Sequence, residues 1–271
     1  MTETFGGLRL PPGEKVDLAH FDAADTSSWR SGRRKGEAAL LRLREELDRL
    51  QELFYADARR GLLVILQGMD TSGKDGVIRH VFEGVNPQGV RVSSFKKPTP
   101  EESAHDFLWR IHRAAPAKGE IVIFNRSHYE DVLVARVHEL VPQKVWSKRF
   151  DSINQFEREL VEEGVSILKF FLHISRDEQR RRLRDRIEDP TKRWKLSAAD
   201  FQERMYWTEY QAAYEDLLHR TNSSWAPWYL LPSDHKWFRN LAVSTILVEQ
   251  LRAMKLRYPR PTVAVSSLKL E

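Results

Sequence analysis

The chain has 271 residues, of which 41% are hydrophobic and 31% are charged. This composition predicts a globular protein with a buried core and a highly charged surface. Lysine and arginine number 44 against 39 acidic residues, so the formal net charge is +5. That excess indicates an anionic partner without distinguishing nucleic acid, membrane or a small polyanion. The absence of cysteine excludes disulfides and thiol catalysis. We expect a cytoplasmic protein with no signal peptide or membrane span.

The first part of the chain is predicted to be an extension. Residues 1–36 are poor in apolar residues and rich in Gly, Pro, Asp and Ser, which is typical of an arm or a partly ordered segment. Residues 37–271 show no repeat and no long linker, so we expect them to form one domain. This domain begins with leucines and a phenylalanine at helical spacing, which predicts a helix packed on the core or on another subunit: Leu40, Leu43, Leu47, Leu50 and Phe54.

Apolar runs of strand length then alternate with helical stretches. The runs lie at 62–66, 90–95, 121–124, 165–174 and 228–231, and the one at 90–95 is the weakest. Helical stretches lie near 74–84, 101–114, 128–139, 147–163, 176–188, 197–220 and 234–255. Runs without polar alternation are typical of strands buried on both faces of a parallel sheet. The pattern predicts a doubly wound α/β domain with a mostly parallel sheet flanked by helices.

A glycine loop follows the first predicted strand and opens a helix. Its sequence, Gly-Met-Asp-Thr-Ser-Gly-Lys at 68–74, fits the pattern G-x-x-x-x-G-K. Glycines let the backbone wrap closely around phosphate groups, and successive N–H groups point at the anion. The alternative is an ordinary glycine turn. The context favours a phosphate loop, with these predicted contacts: Gly68, Thr71, Ser72, Gly73 and Lys74.

Two carboxylates lie unusually close to this loop. Asp75 occupies the position after Lys74, where a Ser or Thr usually binds magnesium, and Asp70 lies inside the loop. Both would repel an anionic ligand unless a cation lay between them and the ligand. We therefore infer Mg²⁺, with Mn²⁺ as an alternative ion, and Asp70 as a ligand or proton acceptor. Asp75 is a ligand or organises the loop, and helix capping is its alternative role.

The strand at 121–124 leads directly into a second polar motif, Asn-Arg-Ser-His-Tyr-Glu-Asp at 125–131. Because the carboxyl ends of parallel strands meet at one edge of a sheet, we expect this motif beside the glycine loop. Asn125 replaces the usual aspartate and can coordinate or orient through its carbonyl oxygen. Arg126 is placed to meet phosphate, while Glu130 and Asp131 support metal or nucleotide. The alternative is an Arg–carboxylate pair that fixes the start of a helix.

The strongest concentration of positive charge lies at residues 176–195. This stretch has nine basic and five acidic residues, a local balance of 9 − 5 = +4. It directly follows a core strand, as the lid of small-molecule kinases does, and arginines from such a lid neutralise a transferring phosphoryl group. We place a helical basic lid at about 176–200. A solvated helix face is the alternative.

Several short segments together resemble the polyphosphate kinase 2 family of polyphosphate:nucleotide phosphotransferases. They occur in order at 66–70, 73–76, 85–90, 95–99, 107–110, 124–132, 227–228 and 236–238. The resemblance extends over about residues 37–255. It implies a P-loop α/β core with a helical lid, and Mg²⁺-dependent phosphoryl transfer between inorganic polyphosphate and a nucleotide. It also implies an intracellular homo-oligomer.

The resemblance assigns roles to individual residues. The loop chemistry falls to Asp70, Lys74 and Asp75, and the form of the motif at 125–131 resembles the subgroup that phosphorylates both nucleoside mono- and diphosphates. The catalytic residues we predict are Asp70, Lys74, Arg126 and Asp131. Besides the loop, the predicted polyphosphate contacts are Lys96, Arg181, Arg182 and Arg186. The predicted nucleotide contacts are Asn125, Arg126, Glu130 and Arg136.

The preferred function is therefore reversible transfer of the terminal phosphoryl of polyphosphate to AMP, ADP or both. The base is adenine, with guanine as an alternative. An ATP-dependent nucleoside monophosphate kinase of thymidylate-kinase type is the enzymatic alternative, and a nucleic-acid-binding module is a remote one. We expect neither nucleic acid nor a membrane as a partner. The sequence does not identify the side chain that stacks on the base among eight tryptophans.

Overall fold

The computed structural model describes residues 5–264 and residue 268. Its five strands are β1 (Gly61–Gln67), β2 (Val90–Ser94), β3 (Ile121–Asn125), β4 (Val165–His173) and β5 (Trp228–Pro232). The ten α-helices in the described part are α1 (Gly32–Asp57), α2 (Lys74–Val81), α3 (Pro100–Ser103), α4 (Trp109–Ala114), α5 (Glu130–Val137), α6 (Gln143–Glu162), α7 (Arg176–Glu188), α8 (Ala198–Glu203), α9 (Trp207–Arg220) and α10 (Lys236–Ala253).

The five strands form one parallel sheet in the order β2-β3-β1-β4-β5. The central strand β1 pairs with both β3 and β4, and all seven of its residues are buried. The register sets Leu66 opposite Asn125 on one side and Phe170 on the other. The carboxyl ends of β1 and β3 therefore lie side by side, and this brings the two polar motifs together. The predicted α/β fold with a parallel sheet is confirmed.

Helices cover both faces of the sheet because β1 sends alternate side chains in opposite directions. Leu62, Val64 and Leu66 join one buried cluster with α1, α2 and α10. Leu63 and Ile65 join the other cluster with α4, α5, α6 and α9. Burial on both faces explains why β1, β3, β4 and β5 are nearly continuous apolar runs, whereas the edge strand β2 contains polar residues and is largely exposed.

The N-terminal segment lies against the domain. Phe5 and Leu8 are buried, and the Leu10 N–H donates to the Trp228 carbonyl at 2.9 Å. Further along, the Ala23 carbonyl accepts from the Asp234 N–H at 3.0 Å. Helix α1 begins at Gly32, so the predicted boundary between residues 36 and 37 falls inside a helix. Residues 5–31 differ from a detached arm, because their apolar side chains complete the core.

Two predicted helices are interrupted. The stretch predicted at 101–114 forms α3 and α4, separated by a turn in which the Asp106 carboxylate accepts from the Leu108 N–H at 2.9 Å. The stretch predicted at 197–220 forms α8, a 3-10 turn at Arg204–Tyr206 and α9. At that turn Arg204 donates to the Arg176 carbonyl at 2.8 Å, which ties the segment to α7. Among the described residues, no helix has the length and apolar character needed to cross a bilayer.

Candidate active site

The glycine loop joins β1 to α2 and has the backbone shape of an anion cradle. Gly68 and Gly73 have φ angles of 149° and 108°, and Thr71 also has a positive φ of 65°. A Cβ atom on Gly68 would lie 2.6 Å from the Leu172 carbonyl oxygen, and one on Gly73 would collide with the Arg239 guanidinium. Glycine is required at both positions because the protein closes tightly around the back of the loop.

Two buried arginines hold the loop from behind. Arg182 on α7 donates to the carbonyls of Thr71 and Ser72 at 2.9 and 3.1 Å, and Arg239 on α10 donates to Ser72 at 3.0 Å. Burial, followed by the positive charge of Arg182, lowers the pKa of Arg239 to about 9. Sequence reasoning assigned no role to Arg239, although an arginine within an apolar helix segment is an available signal. These hydrogen bonds hold the Thr71 and Ser72 carbonyls toward the two arginines. The N–H groups of the loop are then left to bind a ligand.

The side chains of the glycine loop include a buried ammonium group and two buried hydroxyl groups. Lys74 is buried and donates to the carbonyls of Gly68 and Met69 at 2.7 and 3.2 Å. Burial, together with the charge of Arg126, lowers the pKa of Lys74. Within the described part of the chain, the buried hydroxyl oxygens of Thr71 and Ser72 have no hydrogen-bond partner. Buried hydroxyls and a buried ammonium of this kind suit a phosphate group, which accepts hydrogen bonds at every oxygen.

The second motif meets the loop through Arg126. This residue has a positive φ of 62°, and its Nη2 donates to the Asp70 carboxylate at 2.7 Å. Its Nη1 lies 4.0 Å from Glu130. Burial opposes the charged guanidinium, but Glu130 and Asp70 outweigh it and raise the pKa of Arg126. The structure thus brings together Asp70, Arg126 and Glu130, and a partly exposed cation faces the loop.

Asn125 and Glu130 are also beside the loop, with partners of their own. Asn125 Nδ2 donates to the Asp75 carboxylate at 2.8 Å, so its amide organises Asp75. Glu130 accepts from Gln67 Nε2 at 3.2 Å, and burial raises the pKa of its carboxyl against the opposing charges of Arg126 and Lys74. Sequence reasoning missed Gln67, although a polar residue at the end of an apolar strand is a signal for such a contact.

The loop carboxylates fit a magnesium ion shared with a substrate. Arg126 contacts one oxygen of Asp70, and Asn125 contacts one oxygen of Asp75. Among the described residues, the second oxygen of each carboxylate accepts no hydrogen bond. No group of three or more potential metal-ligating side chains is assembled in the described part. Mg²⁺ is commonly held by one or two carboxylates while phosphate oxygens and water complete its shell. Asp70 and Asp75 are therefore the residues that would hold it.

Two predicted site residues have their contacts elsewhere. Asp131 lies 3.4 Å from Arg149 and 3.7 Å from Arg110, and burial raises the pKa of its carboxyl against these charges. Arg136 donates to Asp216 at 2.9 Å. Consecutive helical residues point in different directions, so Glu130 faces the loop while Asp131 faces an arginine pair. Asp131 and Arg136 therefore have ion-pair partners within the protein, and their catalytic and nucleotide-binding roles stay predictions.

The lid arginines have different environments. All five N–H groups of Arg182 donate within the protein, to Glu178 and to the carbonyls of Thr71, Ser72, Ser233 and Asp234. The predicted polyphosphate contact of Arg182 is therefore corrected to a brace for the loop. Arg181 is 55% exposed and pairs with Glu178 and Asp185, while Arg186 lies 3.3 Å from Asp200. Lys96 is exposed on the loop after β2.

A buried ionic network between β4 and α6 holds the motif at residues 125–131 in place. Lys169 on β4 donates to Glu157 at 2.6 Å, to the Thr221 carbonyl at 2.7 Å and to the Tyr129 hydroxyl at 3.0 Å. Tyr129 donates to Glu157 at 2.6 Å, and His128 lies 3.3 Å from the same carboxylate. One carboxylate therefore holds both aromatic residues between Arg126 and Glu130. A lysine within an apolar strand is the one signal of this network in the sequence.

Comparisons with known proteins agree with this geometry. The family described as Polyphosphate kinase 2 (PPK2) matches residues 30–259. The chain belongs to the polyphosphate kinase 2 family. A crystal structure of polyphosphate kinase 2 from Arthrobacter aurescens TC1 is similar with a TM-score of 0.92 and 40% identity, covering 97% of this chain and 93% of that one.

Two curated proteins are similar to this chain over nearly their whole length. An AMP/ADP-polyphosphate phosphotransferase from Meiothermus ruber is 52% identical, covering 97% of this chain and 98% of that protein. An ADP-polyphosphate phosphotransferase from Rhodopseudomonas palustris is 46% identical, covering 95% and 93%. The predicted family is confirmed, and the similarity extends well beyond the two motifs of the site.

Proposed function

We propose that this protein transfers the terminal phosphoryl group of inorganic polyphosphate to AMP and ADP, and that the transfer is reversible. The observation that carries the proposal is the contact between the two motifs, in which Arg126 meets Asp70 at the mouth of a loop with unpaired buried donors. The names of the two curated relatives support polyphosphate and adenine nucleotides as substrates. Guanine nucleotides are the alternative acceptors.

The residues of the loop supply binding and charge rather than covalent chemistry. Phosphoryl transfer depends mainly on positioning and on stabilisation of charge spread over the equatorial oxygens. A phosphate in the loop offers Lys74 Nζ stronger acceptors than the two carbonyls it now contacts. Arg126 contributes a second positive charge from the other motif. Asp70, next to Arg126, is placed to accept a proton or hold a cation.

We further propose Mg²⁺ as the metal, held by Asp70 and Asp75, with Mn²⁺ as a substitute. When bound, the ion supplies positive charge between the carboxylates and the phosphates. Arg181, Arg186 and Lys96 are the proposed contacts for the polyphosphate chain, because their positive side chains reach solvent near the lid and the loop after β2. A cytoplasmic homo-oligomer remains our proposal for location and assembly.

The decisive experiment is an assay with Mg²⁺, polyphosphate and either AMP or ADP, in the absence of ATP. We expect ADP and ATP as products, and chromatography of the nucleotides measures their formation. The enzymatic alternative predicts turnover only when ATP is the donor. Product formation from ATP and AMP alone, with none from polyphosphate, would overturn the proposal in favour of an ATP-dependent nucleoside monophosphate kinase.

The loop role is tested by Lys74→Ala. We expect turnover to fall by roughly 10²–10³-fold, because the main charge facing the phosphates is lost. The circular dichroism spectrum should be unchanged, since Lys74 contacts only two carbonyls of its own loop. The matched control is Lys118→Ala at an exposed lysine, which should retain full activity. Normal turnover in Lys74→Ala would contradict the assigned role.

A further inference from the structure

A second cavity lies at the opposite end of the sheet from the glycine loop. It has a volume of about 360 Å³ and is bordered by the first residues of β4, the segment before β5, and parts of the N-terminal segment and α10. The glycine loop follows the carboxyl end of β1, whereas this cavity is at the amino ends of β4 and β5. Its volume is within the range of sites that bind small molecules, roughly 300–1,000 Å³.

The cavity is lined by cations and has no acidic lining residue. Arg9 donates to the Ser224 carbonyl at 3.3 Å, and Arg60 donates to the Met254 carbonyl at 3.2 Å. Neither guanidinium forms an ion pair with a carboxylate in the part of the chain that the structure describes. The neighbouring Asp57 is already paired with Arg59 at 2.8 Å. Both arginines therefore keep N–H groups for an anion, which they would bind as charge-assisted donors.

The same cavity presents aromatic and apolar surface. Trp225 is 42% exposed, and the guanidinium of Arg158 lies 5.8 Å from its ring centre. Tyr229 on β5 is half-buried on another side, and Val165 and Ile167 of β4 form part of the wall. Polar groups at the margin, on Ser166 and Gln250, can hydrogen-bond a ligand. A ligand that fits has a planar apolar part as well as an anionic part.

We propose that this cavity binds a nucleoside monophosphate, with its phosphate at Arg9 and Arg60 and its base against Trp225. A polyphosphate chain could use the two arginines but has no group for the aromatic ring and the apolar wall. Free inorganic phosphate has the same limitation and would bind only through the guanidinium groups. All three ligands share the phosphate group that the arginines would bind. Only the nucleoside monophosphate also has a base that can pack against Trp225.

The experiment follows Trp225 by fluorine NMR in protein labelled with 5-fluorotryptophan. The Trp225 resonance is assigned as the one that is missing from Trp225→Phe. Without polyphosphate and Mg²⁺, AMP is not consumed, so binding is measured at equilibrium. We expect AMP to shift this resonance to saturation, and Arg9→Gln/Arg60→Gln to weaken that binding by about tenfold or more. The matched control is Arg33→Gln/Arg42→Gln at two exposed positions of α1, which should bind like wild type.

Separate titrations with inorganic phosphate and with short polyphosphate distinguish the sources of the anion. Weaker effects of both than of AMP support the proposal. A Trp225 shift with polyphosphate but not with AMP would overturn it, as would no shift with AMP, or an AMP response that is unaffected in Arg9→Gln/Arg60→Gln. Turnover of this variant with polyphosphate at saturating nucleotide should match wild type. That measurement reports the glycine-loop site alone, so failure of the second cavity and failure of the proposed function are distinguishable.

Discussion

Arg181 and Arg182 are adjacent in the sequence but have opposite surroundings. Arg181 is 55% exposed and pairs with two carboxylates on its own helix. Arg182 is buried and donates all of its hydrogen bonds inside the protein, two of them to the glycine loop. Helical geometry turns successive side chains by about 100°, so a run of arginines cannot face one ligand together. Of this pair, only Arg181 has its guanidinium exposed to solvent.

This contrast predicts different effects of the two alanine variants. Arg182→Ala should lower the free energy of unfolding by about 3–5 kcal/mol, because it removes a buried cation and the hydrogen bonds that it donates to the carbonyls of Thr71 and Ser233. Arg181→Ala should change it by about 1 kcal/mol or less, as exposed ion pairs contribute little. Urea denaturation of both variants measures the difference. Equal stability of the two variants would contradict the bracing role of Arg182.

At the residue scale, sequence reasoning located the glycine loop and the motif at 125–131, because both patterns reflect local backbone requirements. The strand-end argument predicted that this motif lies beside the loop, and the contact between Arg126 and Asp70 agrees with that position. The contacts of Asp131, Arg136 and Arg182 depend on which way a helix side chain points, and on partners more than ten residues away. Those partners are set by tertiary packing, which the local pattern does not contain.

At the scale of elements, the segment joining β3 to α5 is held by a strand and a helix far from it in the sequence. Ser127, His128 and Tyr129 are buried, and Glu157 of α6 accepts from the last of these at 2.6 Å. Lys169 of β4 completes the network. The buried residues 127–129 follow Arg126 directly and hold the backbone at which Arg126 has its positive φ. Their burial therefore restricts the position of the Arg126 guanidinium.

Removing one charged member of this network should lower the free energy of unfolding. Lys169→Met leaves the buried Glu157 carboxylate with Tyr129 and His128 but without its lysine partner, so we expect a loss of about 3–5 kcal/mol in the free energy of unfolding. Lys169→Met/Glu157→Leu removes both charges and should be more stable than the single variant. Guanidinium denaturation checks both, with Lys118→Met as a control for an exposed lysine. A double variant that is less stable than Lys169→Met would contradict this account.

The same network predicts that the free energy of unfolding depends on pH. Burial alone would raise the pKa of Glu157, but Lys169 and His128 outweigh it, and the pKa is lowered in the folded state. A carboxyl group with a lowered pKa contributes stability above its unfolded pKa of about 4.5, and this contribution is lost as pH falls through the folded value. The stability gap between wild type and Glu157→Gln should therefore be largest near neutral pH and should shrink in acid. Denaturation curves from about pH 7 to pH 3 measure the gap, and a constant gap would refute the assignment.

Four of the five strands were predictable because continuous apolar runs of this length are typical of strands that are buried on both faces of a sheet. The edge strand β2 contains Arg91 and two serines and has no fully buried residue, which is why its prediction was the weakest. Helix interruptions were less predictable. The break between α3 and α4 follows from the turn in which the Asp106 carboxylate accepts from the Leu108 N–H, because this local hydrogen bond competes with a continuous helix. The break before α9 depends on Arg204 reaching Arg176, a contact that forms only once the lid is folded.

At the scale of the whole molecule, one sheet carries two cores that share its strands. Leu47 of α1 packs with α10 and β1 on one face, and Phe156 of α6 packs on the other. The N-terminal segment joins both clusters, with Phe5 in one and Leu18 in the other. Because β1 contributes side chains to both, loss of packing on one face also removes support from the other. We therefore expect the chain to unfold as one cooperative unit.

A pair of leucines on α1 tests this expectation. Leu47 is fully buried and Leu41 is 58% exposed. Leu47→Ala should lower the free energy of unfolding by about 2–5 kcal/mol, whereas Leu41→Ala should change it by about 0.5 kcal/mol or less. Melting of Leu47→Ala followed by circular dichroism and by loss of activity should give one coincident transition. Two separated transitions would show that the faces unfold independently.

The position of Arg239 has a consequence for how the protein is made. The glycine loop occupies residues 68–74, but the guanidinium that closes its back belongs to residue 239. On a ribosome the loop emerges long before that arginine has been added to the growing chain. A nascent chain thus lacks the contact to the Ser72 carbonyl and the wall behind Gly73. The loop therefore gains the wall behind Gly73 only in a chain whose synthesis has passed residue 239.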